Sequence, residues 1–255
     1  MNYAMEGKVV LITGGASGIG RASALEFAKQ GVCVVIQDIE PSGAERTVGE
    51  ILNLGGDACF IRGDVSSSED ASGAVDYAVN RYGQLDFAFN NAATANNYTA
   101  SLHEYEEKEW DRMVSVLLKG VWLGMKYQII QMLKNAGGVI VNTSSIMGLV
   151  GGINGTSPYI ASKHGVLGLT KTAALEYASN EIRVNAVCPA VIRTPRLERA
   201  LSDEPRYLDK EIPKIPMGRI GEDYEIANAV VWLCSKSASF ITGHALSIDG
   251  GYLIQ

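Results

Sequence analysis

Short apolar runs alternate with longer segments of helical periodicity along most of the chain. Four such runs open it: residues 8–12, 32–37, 58–61 and 85–89. The first run, residues 8–12, is typical of a strand buried on both faces of a parallel sheet, and the other three are predicted to be strands as well. Three segments with apolar residues three or four apart lie between them: about 21–30, 43–54 and 68–82. Strand and helix alternating in this order indicate right-handed βαβ units, so the predicted fold class is α/β, a doubly wound parallel sheet with helices on both faces.

The second half of the chain continues the alternation. Its predicted elements are helices at about 106–133, 158–179 and 224–233, and strands at about 139–141, 183–187 and 245–248. A polar stretch with several prolines, at about 195–217, interrupts the pattern. We predict that this stretch is a substrate lid, with a plain surface loop as the alternative. No linker or repeat divides residues 1–255, so we predict one domain.

A glycine-rich turn joins the first strand to the first helix. Residues 13–20 read Thr-Gly-Gly-Ala-Ser-Gly-Ile-Gly. Glycines allow a pyrophosphate to approach the backbone, and a helix N-terminus offers free N–H groups to it. A glycine turn without a ligand is the alternative, but the strand–turn–helix context predicts a dinucleotide site.

An acidic residue ends the second strand. Asp38 lies roughly 20 residues after the glycines, where a carboxylate hydrogen-bonds the adenosine ribose of NAD and repels the 2′-phosphate of NADP. Ser17 and Ile39 flank these positions, and neither is a cation that would receive that phosphate. The sequence therefore predicts NAD as the cofactor.

Tyr159 and Lys163 are four residues apart, one turn apart on the same face of a helix. Pro158 is suited to the first helical position and Ser157 to the N-cap. An adjacent ammonium and a helix N-terminus both favour a phenolate over a phenol. A phenol tuned in this way exchanges protons with an alcohol or a carbonyl oxygen. Alone, this spacing also fits two surface residues.

The chain has a formal net charge of −6, which argues against nucleic acid or an anionic membrane as its partner. The N-terminal residues lack a signal-peptide pattern, and no uninterrupted apolar run approaches the ~20 residues of a bilayer span. The four cysteines are far apart, which favours free thiols, and the three histidines are not spaced as metal ligands. We predict a cytoplasmic protein without a metal site.

Together the motifs resemble the short-chain dehydrogenase/reductase family. They are TGGASGIG, Asp64, NNAA, SS followed by YIASK, IRVNAVCP and the terminal IDGG, and they span nearly the whole chain. The resemblance implies a Rossmann fold and a homotetramer. It also implies a catalytic set of Ser145, Tyr159 and Lys163, in which the tyrosine is the general acid/base, the serine holds the substrate oxygen and the lysine binds the nicotinamide ribose. Ser145 rather than Ser144 is chosen because it matches the family's Ser-x-x-Gly.

The resemblance also implies a set of cofactor contacts around the dinucleotide. These are Gly14, Ser17, Gly18, Ile19, Asp38, Ile39, Asp64, Val65, Asn91, Tyr159, Lys163, Ile192 and Thr194. The expected substrate pocket is lined by Asn96, Ile146, Met147, Asn154, Leu197 and Tyr207.

The chain departs from the family pattern in three places. Leu117 stands where many members have a fourth catalytic residue, an asparagine, and a leucine side chain cannot hold water that connects Lys163 to solvent. Ala93 and Ala190 replace two glycines near the nicotinamide. The interval from Ser145 to the catalytic tyrosine is one residue longer than is common.

These features predict an oxidoreductase that transfers a hydride between NAD(H) and a secondary alcohol or ketone, with a pocket suited to a medium-sized, cyclic or open-chain substrate. The alternative is a catalytically impaired NAD(H)-binding protein that acts as a sensor or scaffold. Leu117 motivates this alternative, and the intact Ser145, Tyr159 and Lys163 argue against it.

Overall fold

The structure is a computed structural model that describes residues 3–94, 98–135, 137–152, 155–203 and 205–255. Nine strands lie within these ranges: β1 Val9–Thr13, β2 Cys33–Asp38, β3 Ala58–Arg62, β4 Phe87–Asn90, β5 Gly138–Thr143, β6 Ile182–Pro189, β7 Ile192–Arg193, β8 Gly221–Glu222 and β9 Ala245–Ile248. Seven form one sheet in the order β3-β2-β1-β4-β5-β6-β9, and every pairing is parallel. The predicted doubly wound parallel sheet is confirmed.

Within the described ranges, nine α-helices connect or follow these strands. They are α1 Gly18–Lys29, α2 Pro41–Asn53, α3 Ser68–Tyr82, α4 Glu107–Val114, α5 Gly120–Lys134, α6 Ser157–Tyr177, α7 Pro195–Asp203, α8 Tyr207–Glu211 and α9 Asp223–Cys234. All predicted helices outside residues 195–217 are present, with ends shifted by a few residues.

The two faces of the sheet are covered by different helices, as β1 shows. Val10 and Ile12 pack on one face with residues of α1, α2 and α9. Val9 and Leu11 pack on the other face with residues of α3, α5 and α6. All five β1 residues are buried, which explains why the strand reads as a continuous apolar run and not as an alternating one.

The predicted helix at 106–133 contains a break in its hydrogen-bond pattern. A π-helical turn, Ser115–Lys119, separates α4 from α5. Residues in such a turn bond five positions back, and the apolar stripe that predicted the helix is the same for both geometries. Leu117 lies in this turn and is fully buried.

The helical stretch Glu107–Lys134 has the length and composition of a membrane span, but half of its most apolar window is buried inside the protein. Its apolar side packs against α3 and α6. This burial is that of a core helix.

The predicted start of the helix that carries Tyr159 was wrong. The helix that carries Tyr159 has Thr156, not Ser157, at its N-cap, so Pro158 occupies the second helical position and not the first. Proline is tolerated throughout the first turn, where N–H groups lack helical partners, so it does not fix the start to one residue. The predicted lid stretch at about 195–217 contains α7, α8 and a short 3₁₀ turn at Ile212–Lys214.

Candidate active site

The predicted cofactor residues gather at the carboxyl edge of the sheet. Gly14 follows β1, Asp38 ends β2, Asp64 follows β3 and Asn91 follows β4. In doubly wound sheets this edge, on either side of the first strand, is where ligands bind. These four residues are far apart in the sequence, and the parallel pairing of the strands brings them to the same edge of the sheet.

The glycine turn fits a dinucleotide phosphate. Gly14 and Gly18 have φ of 71° and 51°, in the left-handed region that favours glycine. A Cβ on Gly20 would lie 2.1 Å from the Gly14 carbonyl oxygen, so the helix can start this close to the strand only with glycine there. Ser17 is the N-cap of α1, and its side chain makes no capping hydrogen bond. The first N–H groups of α1 therefore have no side-chain acceptor and are suited to an anion.

Asp38 is held at the far side of this turn. Its carboxylate accepts hydrogen bonds from the Ala16 N–H at 2.9 Å and the Glu40 N–H at 3.0 Å. Glu40 in turn caps α2, and its own pKa is lowered mainly by the hydrogen bond from the Gly43 N–H. Asp38 and Glu40 thus place two carboxylates at and just after the end of β2, on either side of the exposed Ile39.

One cation near this position was missed by the sequence reasoning. Arg62 is paired in register with Asp38 on the neighbouring strand, and its side chain is exposed. The sequence does not show which residues of β2 and β3 are paired. The absence of an Arg or Lys next to Ser17 or Asp38 along the chain therefore did not exclude a cation on the neighbouring strand. Arg62 is the residue that competes with the NAD assignment.

Asp64 and Val65 occupy the next strand end. The Asp64 carboxylate accepts hydrogen bonds from the Ser66 N–H and hydroxyl, both at 2.8 Å. A Cβ on Gly120 would lie 2.8 Å from a Val65 methyl group, so Val65 packs against the first turn of α5. Both predicted adenine contacts lie at the sheet edge and are fixed by local contacts.

Asn91 connects the glycine turn to the catalytic side of the sheet. Its amide nitrogen lies 3.3 Å from the carbonyl oxygens of Thr13 and Gly14, and its amide oxygen accepts from the Thr143 hydroxyl at 3.3 Å. The Thr13 hydroxyl accepts hydrogen bonds from the N–H groups of Asn91 and Ala92. Thr13 and Thr143 were not predicted, because their sequence positions mark only strand ends.

Lys163 is buried behind this junction. Its Nζ donates a 2.7 Å hydrogen bond to the Thr143 carbonyl oxygen and lies 5.7 Å from the centre of the Tyr159 ring. Burial, helped by the charge of Arg196, lowers the pKa of Lys163 to about 8. The helical spacing of Tyr159 and Lys163 thus places an ammonium beside the phenol ring, as predicted.

The two serines at the end of β5 have different partners. The Ser145 hydroxyl accepts a hydrogen bond from the Met147 N–H at 3.1 Å, and the residue is nearly buried. The Ser144 hydroxyl donates to the Lys163 carbonyl oxygen at 2.9 Å. A Cβ on Gly148 would lie 2.3 Å from the Ser144 oxygen, so this turn packs tightly against α6. Ser144 therefore joins two elements, and Ser145 keeps its hydroxyl hydrogen for another acceptor.

Cys188 lies under the same turn. Its thiol is buried within hydrogen-bonding reach of the Ser144 side chain and the Ser145 N–H, and burial raises the pKa of the thiol to about 11. All four cysteines carry free thiols, of which Cys188 and Cys234 are buried and the other two half-buried. In the described ranges, no group of three or more His, Cys, Asp or Glu residues could hold a metal ion.

The expected pocket residues are only partly described. Asn96 and Asn154 lie outside the described residues. Ile146 is buried, and Met147, Leu197 and Tyr207 are half-buried. Ala93, which replaces a glycine of the family pattern, is exposed. Ala190 lines an apolar cavity of about 100 Å³ that also borders Ile192, Ile215 and Ile248.

The last predicted cofactor residues lie across the glycine turn. Ile192 in β7 is nearly buried, and Thr194 is the first residue after the end of β7. A Cβ on Gly18 would lie 3.2 Å from the Thr194 methyl group. The segment that carries these two residues therefore covers the start of α1, and Ile19 lies half-buried in the same helix turn.

The family profile described as enoyl-(acyl carrier protein) reductase matches residues 14–253. Cyclohexanol dehydrogenase from Acinetobacter sp. (strain SE19) is 43% identical over 253 residues, covering 99% of this chain and 97% of that protein. The 2,5-dichloro-2,5-cyclohexadiene-1,4-diol dehydrogenase of Sphingobium indicum is 39% identical over 250 residues, covering 97% of this chain and 98% of that protein. Among solved structures, levodione reductase superposes with a TM-score of 0.92 at 34% identity, covering 96% of this chain and 97% of the other.

Proposed function

The chain belongs to the short-chain dehydrogenase/reductase family of oxidoreductases, and we propose that it is an NAD(H)-dependent dehydrogenase of cyclic secondary alcohols. The observation that carries the proposal is the placement of Lys163 beside the Tyr159 ring and in hydrogen-bond contact with Thr143, two residues before Ser145 at the carboxyl edge of the sheet. In the proposed reaction the nicotinamide, when bound, accepts or supplies the hydride.

Tyr159 is the proposed proton carrier. It is the third residue of α6, directly after Pro158, and the centre of its half-buried phenol ring lies 5.7 Å from the Lys163 Nζ. A nearby ammonium stabilises the phenolate that remains after Tyr159 gives a proton to a carbonyl oxygen. In the oxidation direction the same phenolate accepts the hydroxyl proton of the alcohol.

Ser145 is the proposed partner of the substrate oxygen. The Met147 N–H already occupies one acceptor position of its hydroxyl, which orients the oxygen and leaves the O–H free to donate. A hydrogen bond from this hydroxyl polarises the substrate C–O bond and holds it near Tyr159. Lys163 carries its charge mostly below pH 8, where burial has brought its pKa.

Asp38 supports NAD over NADP. Its two hydrogen bonds from backbone N–H groups fix the carboxylate at the end of β2, and Glu40 adds a second negative charge nearby. A 2′-phosphate at this position would meet both carboxylates, whereas a ribose hydroxyl would donate to Asp38. Arg62, the register partner of Asp38, is a cation near this position, and it opposes this preference.

The proposed substrate class is a neutral six-membered ring with a secondary hydroxyl or keto group. The names of two relatives at 39–43% identity specify cyclohexanol and a cyclohexadiene diol. Ile146 and Met147 next to Ser145 supply apolar surface for such a ring. A fold alone does not determine the substrate. The proposed substrate class therefore rests on the apolar side chains beside Ser145 and on the substrates named for the two relatives.

The test is a turnover assay at the reduced-nicotinamide absorbance band. Purified protein would be mixed with NAD or NADP and a matched panel of cyclohexanol, a cyclohexane diol and linear 2-hexanol. The proposal predicts turnover with NAD, and higher kcat/KM for the rings than for the linear alcohol. Equal turnover of the linear alcohol would contradict the ring specificity, and turnover with NADP alone would contradict the cofactor assignment.

The sensor or scaffold alternative has one observation in its favour. Leu117 is fully buried in the π-helical turn and offers no side-chain hydrogen bond to water. Tight NADH binding with no turnover on any panel member, in either direction, would favour this alternative.

We also propose a homotetrameric assembly. Large apolar side chains are exposed on the segments expected to form its interfaces: Trp122, Ile130 and Leu133 on α5, Leu175 on α6, and Phe240 and Ile254 near the C-terminus. Exposed apolar surface of this kind is usual at protein–protein interfaces. Light scattering of the purified protein would test the mass, and a monomer would contradict the proposal.

A further inference from the structure

The first turn of α7 lies directly over the glycine turn. The Thr194 methyl group is 3.2 Å from the position of a Cβ on Gly18, and Pro195 Cδ is 3.8 Å from it. The Thr194 hydroxyl accepts the Leu197 N–H at 3.2 Å, which fixes the start of the helix. The predicted lid therefore begins against the same backbone that fits a dinucleotide phosphate.

Arg196 is the second residue of α7, and its side chain is exposed. The neighbouring arginines have partners: Arg193 pairs with Glu222 at 3.1 Å, and the Arg199 Nε donates to the Pro195 carbonyl oxygen at 3.3 Å. Arg196 has no hydrogen bond or ion pair with any residue in the described part of the chain. Its guanidinium is thus available to a ligand.

The charge of Arg196 also acts on the catalytic edge. It is close enough to Lys163 to contribute to the lowered pKa of that amine. Lys163 is buried and hydrogen-bonded to the neutral Thr143 carbonyl oxygen. Two cations that approach each other without a carboxylate between them repel, and an anion that binds beside them relieves the repulsion.

We propose that Arg196 is a ligand of the dinucleotide diphosphate, carried by the first turn of the lid. The inference rests on the proposed function, because it assigns a residue to the same cofactor. The guanidinium would form charge-assisted hydrogen bonds to a phosphate that the first N–H groups of α1 bind from the other side.

A diphosphate fits this position better than a substrate group. The contact between Thr194 and Gly18 places the lid helix over the phosphate-binding turn. Cyclohexanol and the cyclohexadiene diol in the names of the relatives are uncharged, so an arginine would find no anion on them. Arg196 on this account holds the lid against the bound cofactor and touches no reacting atom.

The test compares Arg196→Met with Arg199→Met, a matched loss of one charge from the same helix. NADH and ADP-ribose binding would be measured by fluorescence and by calorimetry, which need no substrate. We expect Arg196→Met to weaken both ligands by roughly 10- to 100-fold, the range for hydrogen bonds to charged groups. Arg196→Lys should recover part of the loss, and Arg199→Met should change either affinity by less than about twofold.

ADP-ribose separates the diphosphate from the nicotinamide, since it retains the first and lacks the second. Loss of NADH affinity with unchanged ADP-ribose affinity would overturn the proposal. So would unchanged affinity for both ligands together with a changed substrate KM, which would assign Arg196 to the substrate. If the wild-type protein binds neither NADH nor NADPH, the proposed function itself fails, and the inference fails with it.

A second readout follows from the charge. Phosphate contacts by an exposed arginine weaken as salt screens them. The wild-type NADH dissociation constant should therefore rise with ionic strength more steeply than that of Arg196→Met. Equal slopes would contradict a direct phosphate contact. Equal unfolding midpoints of the variants in urea would show that the lost affinity is not lost folding.

Discussion

The Lys163 ammonium donates a 2.7 Å hydrogen bond to the carbonyl oxygen of Thr143, which links the catalytic helix to the end of β5. This bond holds a buried cation at the junction between the glycine turn and the proposed substrate position. Asn91 contacts the Thr143 hydroxyl, so the same residue connects both halves of the site.

Replacing Lys163 with methionine should stabilise the fold at neutral pH while abolishing turnover. Burial lowers the pKa of Lys163 from 10.5 to about 8, a difference that corresponds to about 3 kcal/mol of destabilisation while the folded protein keeps the proton. Loss of the hydrogen bond to Thr143 offsets roughly 1 kcal/mol of the gain. We therefore expect Lys163→Met to be about 2 kcal/mol more stable than wild type in urea unfolding at pH 7.

The pH dependence of the stability difference between wild type and Lys163→Met gives a second test. Between pH 8 and pH 10.5 the unfolded wild-type chain binds more protons than the folded one, so wild-type stability rises with pH relative to the variant. The advantage of Lys163→Met should shrink across this window. Lys171→Met, on the exposed side of the same helix, is the control and should show no such trend. A constant difference between the two proteins would contradict the buried-ammonium account.

Ser144 and Ser145 should separate stability from catalysis. Ser144→Ala removes the hydrogen bond to the Lys163 carbonyl oxygen and leaves that buried oxygen without its side-chain donor, so we expect a loss of about 1–2 kcal/mol in unfolding free energy with most turnover kept. Ser145→Ala should lower kcat by roughly 10²-fold or more, with little change in stability. A large loss of kcat in Ser144→Ala together with a loss of stability alone in Ser145→Ala would contradict these assignments.

The fold was predictable because its signal is repeated. The apolar run of β1 predicts a doubly buried strand, strands and helices alternate after it, and the glycines and Asp38 fall where a parallel sheet places its ligands. The Tyr159–Lys163 spacing similarly predicted one helical face. Each of these depends on residue type and local spacing, which the sequence contains.

The details that were missed depend on contacts between distant segments. Arg62 lies beside Asp38 because of the register between β2 and β3. Thr143 accepts the Lys163 hydrogen bond through its backbone carbonyl oxygen, which any residue type would supply. The π-helical turn around Leu117 carries the same apolar stripe as an α-helix, so periodicity did not reveal it. Arg196 reads as one more surface charge until the start of α7 is placed over the glycine turn.

Asp38 should decide between the two nicotinamide cofactors. Asp38→Ser removes the carboxylate that a 2′-phosphate would meet, and the serine hydroxyl donates to that phosphate. We expect the ratio of kcat/KM for NAD over NADP to fall by at least about tenfold, since one charge-assisted contact is lost and one repulsion is relieved.

Arg62→Met is the matched counterpart of that experiment. It should lower residual NADP turnover and leave NAD turnover nearly unchanged, because the exposed guanidinium is the nearby cation for the extra phosphate. A wild-type preference for NADP that disappears in Arg62→Met would show that Arg62, and not Asp38, controls the cofactor.

Substitutions of Leu117 should lower the unfolding free energy but should not abolish turnover. Leu117→Asn places a polar group in a fully buried position and should lower the unfolding free energy by about 2–4 kcal/mol. The amide also gives water a hydrogen-bond partner toward Lys163, so we expect kcat to increase where proton release limits turnover. Leu117→Ala is the control for packing: it should lose similar stability without the increase. An equal change of kcat in both variants would contradict a proton-relay effect.

The most direct test of the central claim uses Tyr159→Phe. The substitution removes only the phenolic oxygen, and Tyr177→Phe near the end of the same helix is the matched control. Turnover of the best alcohol from the panel and the NADH dissociation constant would be measured side by side. We predict that Tyr159→Phe loses 10²- to 10⁴-fold in kcat with NADH affinity unchanged, the range expected for loss of a general acid/base. Turnover within tenfold of wild type would contradict the assignment of Tyr159 as the proton carrier, and with it the proposed mechanism.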